Sequence, residues 1–360
     1  MHIFKRTLKF LFLLFLALLL LAAAFLGLPF LAAGNTTGGA DYSAWMRETL
    51  SGPERLVDIA MPGAHDALTS GMRLSSPVDA ASVASPFQLG ICKGLGYRQS
   101  KAQIADLPAL LAGGVRYFDV RATRDAATGV FYAVHNYYSA PLADELAAFA
   151  AFLAAHPGEV LVLDFQHCYD STSPDARLGP AHFGELYALL QQSGVLGYAQ
   201  APNLAAATYG QVTAGGSRAA CLVLMKYTGG CKELLNYASS IHSPWFNTDS
   251  SEAVFAGLDG VALQVQNGQV SRDVFRVQQA VLTMQASPSG ILNALGSWSL
   301  PHRAQGFNAK LADVQNSTWL AAMPIVMTDH SLSTAGDAHA RLMAAILQFD
   351  QALAGSASHT

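Results

Sequence analysis

Along this chain, short unbroken apolar runs alternate with longer stretches in which apolar positions recur every three or four residues. The short runs predict strands at 56–61, 115–121, 129–135, 159–165, 219–227, 277–283 and 324–328. The helical spacing predicts helices at 104–111, stopped by Gly113-Gly114, at 142–155, stopped by Pro157-Gly158, at 181–192, and at 337–353. The run at 159–165 is apolar almost throughout, as in a strand buried on both faces. Such alternation predicts an α/β fold with a parallel sheet and helices outside it. Polar residues decide between an open sheet and a barrel. His65 follows the first run, Asp119 and Arg121 end the second, and His135 ends the third. Gln166 and His167, Lys226, and Asp329 follow later ones. A TIM barrel collects all strand C-termini on one face, and that face carries the site.

The first 34 residues stand apart. Lys5, Arg6 and Lys9 precede an apolar run that continues to Leu31, and Ala32-Ala33-Gly34 offers small residues for cleavage. This is the pattern of a secretory signal, yet the run is long enough to span a bilayer. Cleaved signal peptide and retained membrane anchor both export the globular part of the chain, because the basic residues stay inside. Residues 35–45 read as a linker and 46–355 as one catalytic barrel. With 51% apolar and 13% charged residues and a net charge of −4, the chain is globular and lacks the basic field that nucleic acid attracts. The cysteines Cys92, Cys168, Cys221 and Cys231 fit no zinc spacing. Cys221 reads as a buried thiol, with a Cys221–Cys231 or Cys92–Cys168 bridge left open.

Two histidines, carboxylates and an arginine together suggest metal-free phosphodiester cleavage. One imidazole takes a proton, the other gives one, and a planar guanidinium holds the phosphate oxygens. Carboxylates beside the rings, with Asp66, Asp119 and Asp329 as candidates, would fix their tautomers. Singly, each has a plainer reading: His65-Asp66 as a turn after Pro62-Gly63, Asp119 and Arg121 as a structural ion pair, His135 as a loop residue. His167-Cys168-Tyr169-Asp170 hints only weakly at metal.

Pro62-Gly63-Ala64-His65-Asp66 resembles the Pro-Gly-(Thr/Ser)-His-(Asp/Asn) motif of the X domain of phosphatidylinositol-specific phospholipases C. Arg116-Tyr117-Phe118-Asp119-Val120-Arg121 resembles that family's second motif, and His135 falls where its second histidine stands. Leu163-Asp164-Phe165-Gln166-His167-Cys168-Tyr169 is similar to a strand of the short X domain-containing branch. Ser243-Pro244-Trp245, Gln279 to Thr283, and Val326 to Asp329 come in family order, so the likeness covers about residues 50 to 353. The resemblance implies a distorted TIM barrel that cleaves between phosphate and diacylglycerol, giving a cyclic inositol phosphate. It implies His65 as general base oriented by Asp329, His135 as general acid supported by Asp66, and Arg121 with Asp119 as the phosphate clamp. The family's calcium-dependent enzymes carry an acidic residue at the position of Arg121, so the resemblance implies no metal and no other cofactor.

Three positions depart from the family. Asn136 follows His135 where His-Gly is frequent, Ala64 replaces Thr or Ser, and Gln166 stands where bacterial enzymes place an inositol-binding lysine. Lys226 is a candidate to compensate, with Gln166, Trp245 and Gln279 as head-group candidates; Trp245 reads equally as core. The expected partner is a phospholipid at a membrane surface. A metal-dependent glycerophosphodiesterase and a non-catalytic inositide-binding barrel are the alternatives.

Overall fold

The computed structural model of the protein describes residues 40–82, 93–173, 175–285 and 299–357 in continuous stretches. Apart from the single residue Phe15, the leader expected at 1–34 lies outside the described residues, as do the first part of the linker, Cys92 and the side chain of Gln166. Among the described residues no helix is long and apolar enough to cross a membrane.

The strands are β1 (Met61–Ala64), β2 (Tyr117–Arg124), β3 (Phe131–His135), β4 (Tyr137–Pro141), β5 (Val160–Asp170), β6 (Ala220–Met225), β7 (Leu234–Asn236), β8 (Ile241–His242), β9 (Phe275–Ala280) and β10 (Ile325–Thr328). Eight of them lie in the order β7-β6-β5-β2-β1-β10-β9-β8, each parallel to its neighbour. This is a distorted TIM barrel: among the described residues no ladder joins the short end strands β7 and β8. Period-two alternation makes β5 and β6 serve two apolar clusters at once. Val160, Val162, Leu222 and Leu224 enter one, while Leu161, Leu163, Cys221 and Val223 enter the other with Leu146, Phe149 and Leu153 of the helix Leu142–Ala155.

The floor of the barrel is tied by Arg116, which has no exposed surface. Its Nε and Nη2 lie 2.8 and 2.7 Å from Glu159 Oε2, and it donates to the carbonyls of Leu111, Val115, Tyr42 and Ser43. Tyr42, Ser43 and the buried Trp45, from the span expected as linker, are therefore docked against the fold, Trp45 donating to the Gly114 carbonyl at 3.0 Å.

Several expected elements shift. The apolar run at 56–61 forms a 3-10 turn, Leu56–Asp58, and the strand starts only at Met61. Burial alone does not select a backbone conformation in so short a run, and Arg276 holds the turn by donating to Val57 O and Asp58 Oδ1. The helix expected from 104 starts at Leu107, because Asp106 caps it by accepting from Ala109 N. The largest correction concerns 129–135: β3 is no wall strand but runs antiparallel to β2 and forms a hairpin with β4. That pairing lets β2 continue past Arg121 to Arg124, so Asp119 and Arg121 lie inside the strand rather than at its end. His167 likewise lies within the eleven-residue β5. Cys168, Cys221 and Cys231 are free thiols, so the Cys221–Cys231 bridge does not form.

Candidate functional site

His65 leaves β1 at the barrel mouth. Gly63 makes this possible: a Cβ there would lie 2.9 Å from Tyr117 Cδ1 and 3.3 Å from Met327 Cα, so only glycine lets β1 lie this close to both neighbours. Ala64 pairs with Thr328 in register, which sets His65 beside Asp329. His65 Nδ1 lies 2.7 Å from Asp329 Oδ1, and its Nε2 lies 3.0 Å from Arg121 Nη2. A guanidinium can only donate and a carboxylate only accept. Once the ring is neutral, the contacts therefore select one tautomer, with the proton on Nδ1 and a lone pair on Nε2.

Arg121 comes from β2. The β2–β5 register shifts between Asp119 and Arg121, one extra residue of β5 being accommodated as a bulge. Asp119 and Arg121 share a face, two residues apart. Arg121 Nε lies 2.5 Å from Asp66 Oδ1 and Nη2 lies 3.2 Å from Asp119 Oδ2. Asp119 Oδ2 also accepts from Asp66 N at 3.1 Å, which holds the turn after His65. Both carboxylates are essentially buried, so the guanidinium is fixed and its charge balanced.

His135 reaches the same mouth on the returning arm of the hairpin. Its Nδ1 lies 2.7 Å from the Ser100 carbonyl and 2.9 Å from Asp66 Oδ2. Both partners are acceptors, so Nδ1 carries a proton and Nε2 is turned away from them. The two imidazoles stand 6.5 Å apart, centroid to centroid, at 72°. Asp66 is the hub, touching Arg121, His135 and, at 3.5 Å, His65 Nδ1.

Electrostatics separates the groups. Burial alone would lower the pKa of His65, but Asp66 and Asp329 outweigh it and raise it from 6.5 to about 9, with Arg121 opposing. Burial likewise pushes Asp66 upward, yet Arg121, His135 and His65 hold it far below the usual carboxylate range. Burial and Arg121 depress His167 to about 4, leaving it neutral.

Each of the three central residues is followed by a left-handed residue: Asp66 at φ 44°, Asn136 at φ 63° and His330 at φ 47°. At Asn136 this explains the sequence departure. The backbone takes the conformation that glycine favours, and asparagine is among the few other residues that adopt it readily.

The head-group candidates are more scattered. Lys226 is exposed just past β6, with Nζ 5.6 Å from the Tyr237 ring centroid. It lines a cavity of about 400 Å³ with His167, Tyr169 and Arg177. Gln279, at the end of β9, donates both to the carbonyl and to the hydroxyl of Ser243. Trp245 is 58% exposed, so it is not core; its Nε1 donates to Thr283 Oγ1 at 2.8 Å.

Gln103 carried no sequence signal. Fully buried, it donates to the carbonyls of His65 (2.9 Å) and Thr328 (3.0 Å) and accepts from Ser331 N. One amide thus ties the ends of β1 and β10, which carry His65 and Asp329.

His65, Asp66 and Asp119 present ligand atoms within 4.8 Å of one another, a set able to hold a metal ion. Arg121 does not leave them free, since it contacts all three. The set fits a divalent ion poorly while that cation bridges it.

No family model matches the chain. It is 33% identical over 149 residues to the variant-surface-glycoprotein phospholipase C of Trypanosoma cruzi, covering 37% of this chain and 39% of that protein. It is 26% identical over 239 residues to PI-PLC X domain-containing protein 2 of Homo sapiens, covering 63% of this chain and 72% of that one. The chain thus spans about two fifths of the first relative's length, 39%, and most of the second's, 72%. Among solved structures, the F249X mutant of the phosphatidylinositol-specific phospholipase C from Staphylococcus aureus superposes with a TM-score of 0.57 at 16% identity, over 84% of this chain and 97% of that one, a likeness of fold. Taken with the motifs on β1 and β2, these likenesses support a place for the chain in the phosphatidylinositol-specific phospholipase C X-domain family.

Proposed function

We propose that this protein is a phospholipase C-like phosphodiesterase that cleaves phosphatidylinositol-type lipids without a metal. The observation that carries the reading is the pair of imidazoles, each held by acceptors at Nδ1 and 6.5 Å apart, beside a guanidinium held by two buried carboxylates.

An entering phosphate accepts hydrogen bonds from Arg121 in place of His65, which frees the Nε2 lone pair. His65 then removes the proton of the inositol 2-hydroxyl while Asp329 holds its Nδ1 proton. The alkoxide attacks phosphorus, the bond to the glycerol oxygen breaks, and His135 Nε2 protonates the departing diacylglycerol. Asp66 and the Ser100 carbonyl keep the Nδ1 proton of His135 throughout. The negative charge on the phosphoryl oxygens rests on Arg121. The cyclic inositol phosphate opens by the reverse roles when water takes the place of the departed diacylglycerol: His135 takes a proton from the water, the bond from phosphorus to the 2-oxygen breaks, and His65 returns a proton to that oxygen. Lys226, Gln166, Trp245 and Gln279 are the candidates for the head group. A leader at 1–34, cleaved or retained, would deliver the barrel to the outer face of the membrane where such lipids lie.

Phosphorus-31 NMR of the protein with phosphatidylinositol and a chelator tests the reading. A cyclic phosphodiester resonance is expected. His65→Ala and His135→Ala should each slow its appearance by about 10²-fold or more. Near-full activity in either variant refutes the roles. Activity that the chelator abolishes and a divalent ion restores would favour a metal-dependent glycerophosphodiesterase built on His65, Asp66 and Asp119.

A further inference from the structure

We infer that Asn136 is a positioning residue for His135, one that sets the direction of the proton to the leaving group; the inference rests on the acid role proposed above. Every polar group that Asn136 offers beyond its own peptide N–H is engaged. Its carbonyl accepts from Asp79 N at 2.8 Å, its Oδ1 accepts from Ser82 Oγ at 2.6 Å, and its Nδ2 donates to Ser100 Oγ at 3.0 Å. Ser100 is also the residue whose carbonyl accepts from His135 Nδ1 at 2.7 Å. One serine is therefore gripped twice, through its hydroxyl by the Asn136 amide and through its carbonyl by the imidazole. The residue next to His135 fixes where the partner of His135 sits.

The consequence is directional. With Nδ1 held between the Ser100 carbonyl and Asp66, the ring cannot swing, and Nε2 points away from both. Three properties are needed at position 136: tolerance of φ 63°, a donor for Ser100 and an acceptor for Ser82. Asparagine has all three. Glycine has only the first, aspartate the first and third, and alanine none. Asp79, buried and also accepting from Thr123 Oγ1 and Ala81 N, anchors the loop that brings Ser82 and the Asp79 N–H to Asn136.

The test separates loss of the acid's aim from loss of structure by changing the leaving group. An alkoxide such as diacylglycerol needs a proton to depart; a p-nitrophenolate barely does. Turnover by wild type, Asn136→Gly, Asn136→Ala, Asn136→Asp and His135→Ala is measured at saturation on phosphatidylinositol and on the p-nitrophenyl ester of inositol phosphate. Asn136→Gly and Asn136→Ala should lose roughly ten- to a hundred-fold on the lipid, the scale of a misplaced catalytic group, and several-fold less on the aryl ester. Asn136→Asp should recover part of the lipid activity, and His135→Ala should show the same leaving-group pattern more strongly. Equal losses on both substrates, or no loss in Asn136→Gly, overturn the inference. Asn136→Gly, which keeps the left-handed backbone, serves if the alanine variant does not fold. Wild type inactive on both substrates overturns the proposed function itself and this inference with it.

Discussion

Replacing Asp329 with asparagine preserves shape and removes one charge from the base. Asp329 is 2% exposed, and its Oδ1 lies 2.7 Å from His65 Nδ1. Burial disfavours the imidazolium of His65, yet Asp66 and Asp329 together raise its pKa from 6.5 to about 9. A rise of about 2.5 pH units corresponds to ~3.4 kcal/mol favouring the protonated ring. Asp66 remains in the variant, so the pKa should fall by about one to two pH units. The profile of kcat/KM against pH reports ionisations of the free enzyme. In wild type its ascending limb, the deprotonation of His65, should lie well above the ordinary imidazole range, toward pH 9. In Asp329→Asn the limb should move to more acidic pH. The plateau should fall by about 10²-fold or more, because an amide can turn its NH2 toward Nδ1 and favour the tautomer with Nε2 protonated. A limb that stays put, or moves to higher pH, refutes the assignment of Asp329 as the carboxylate that sets the charge and tautomer of His65.

Arg116→Met should cost about 3–5 kcal/mol in urea unfolding, because it leaves the Glu159 carboxylate buried without its cation. Activity per folded molecule should hold, since Arg116 ties the barrel floor and touches none of the site residues. His330, 1% exposed, is kept neutral by burial, which lowers its pKa from 6.5 to about 4. The unfolded chain therefore binds the extra proton first: the stability contributed by His330 is full well above pH 6.5 and declines as pH falls toward 4, by at most ~3.4 kcal/mol. The contribution of His65, whose pKa is raised, still grows as pH falls from 7 to about 5.5, where the unfolded ring completes its protonation, and this growth is common to wild type and variant. Urea midpoints at pH 7 and pH 5 should thus converge in His330→Asn, a substitution compatible with φ 47°; an unchanged gap assigns the acid lability elsewhere.

The chemistry-bearing residues and the class of fold can be read from the chain alone. Alternation of short apolar runs with helical stretches identifies a parallel α/β architecture, because burial on both faces of a strand leaves an unbroken apolar signature. The spans 142–155 and 181–192 match their helices closely, since Pro157-Gly158 ends the first and Pro180 starts the second. Pro62 to Asp66 and Arg116 to Arg121 are local motifs, legible because each is one strand segment with the residues that adjoin it in sequence. The rest depends on contacts between distant parts of the chain. His135 arrives on an antiparallel hairpin rather than a wall strand, and apolar alternation does not encode the direction of a strand's partner. Asn136 looked like a departure from a His-Gly pattern, and only its left-handed φ and its bonds to Ser82 and Ser100 give it a role. Gln103 and Ser100 carry no motif, yet Gln103 donates to the His65 carbonyl and the Ser100 carbonyl accepts from the His135 ring, contacts between residues more than thirty positions apart in sequence. Residue identity supplies acids, bases and charges. Which nitrogen holds a proton, and where it points, depends on hydrogen-bond partners that only the folded barrel brings within 3 Å.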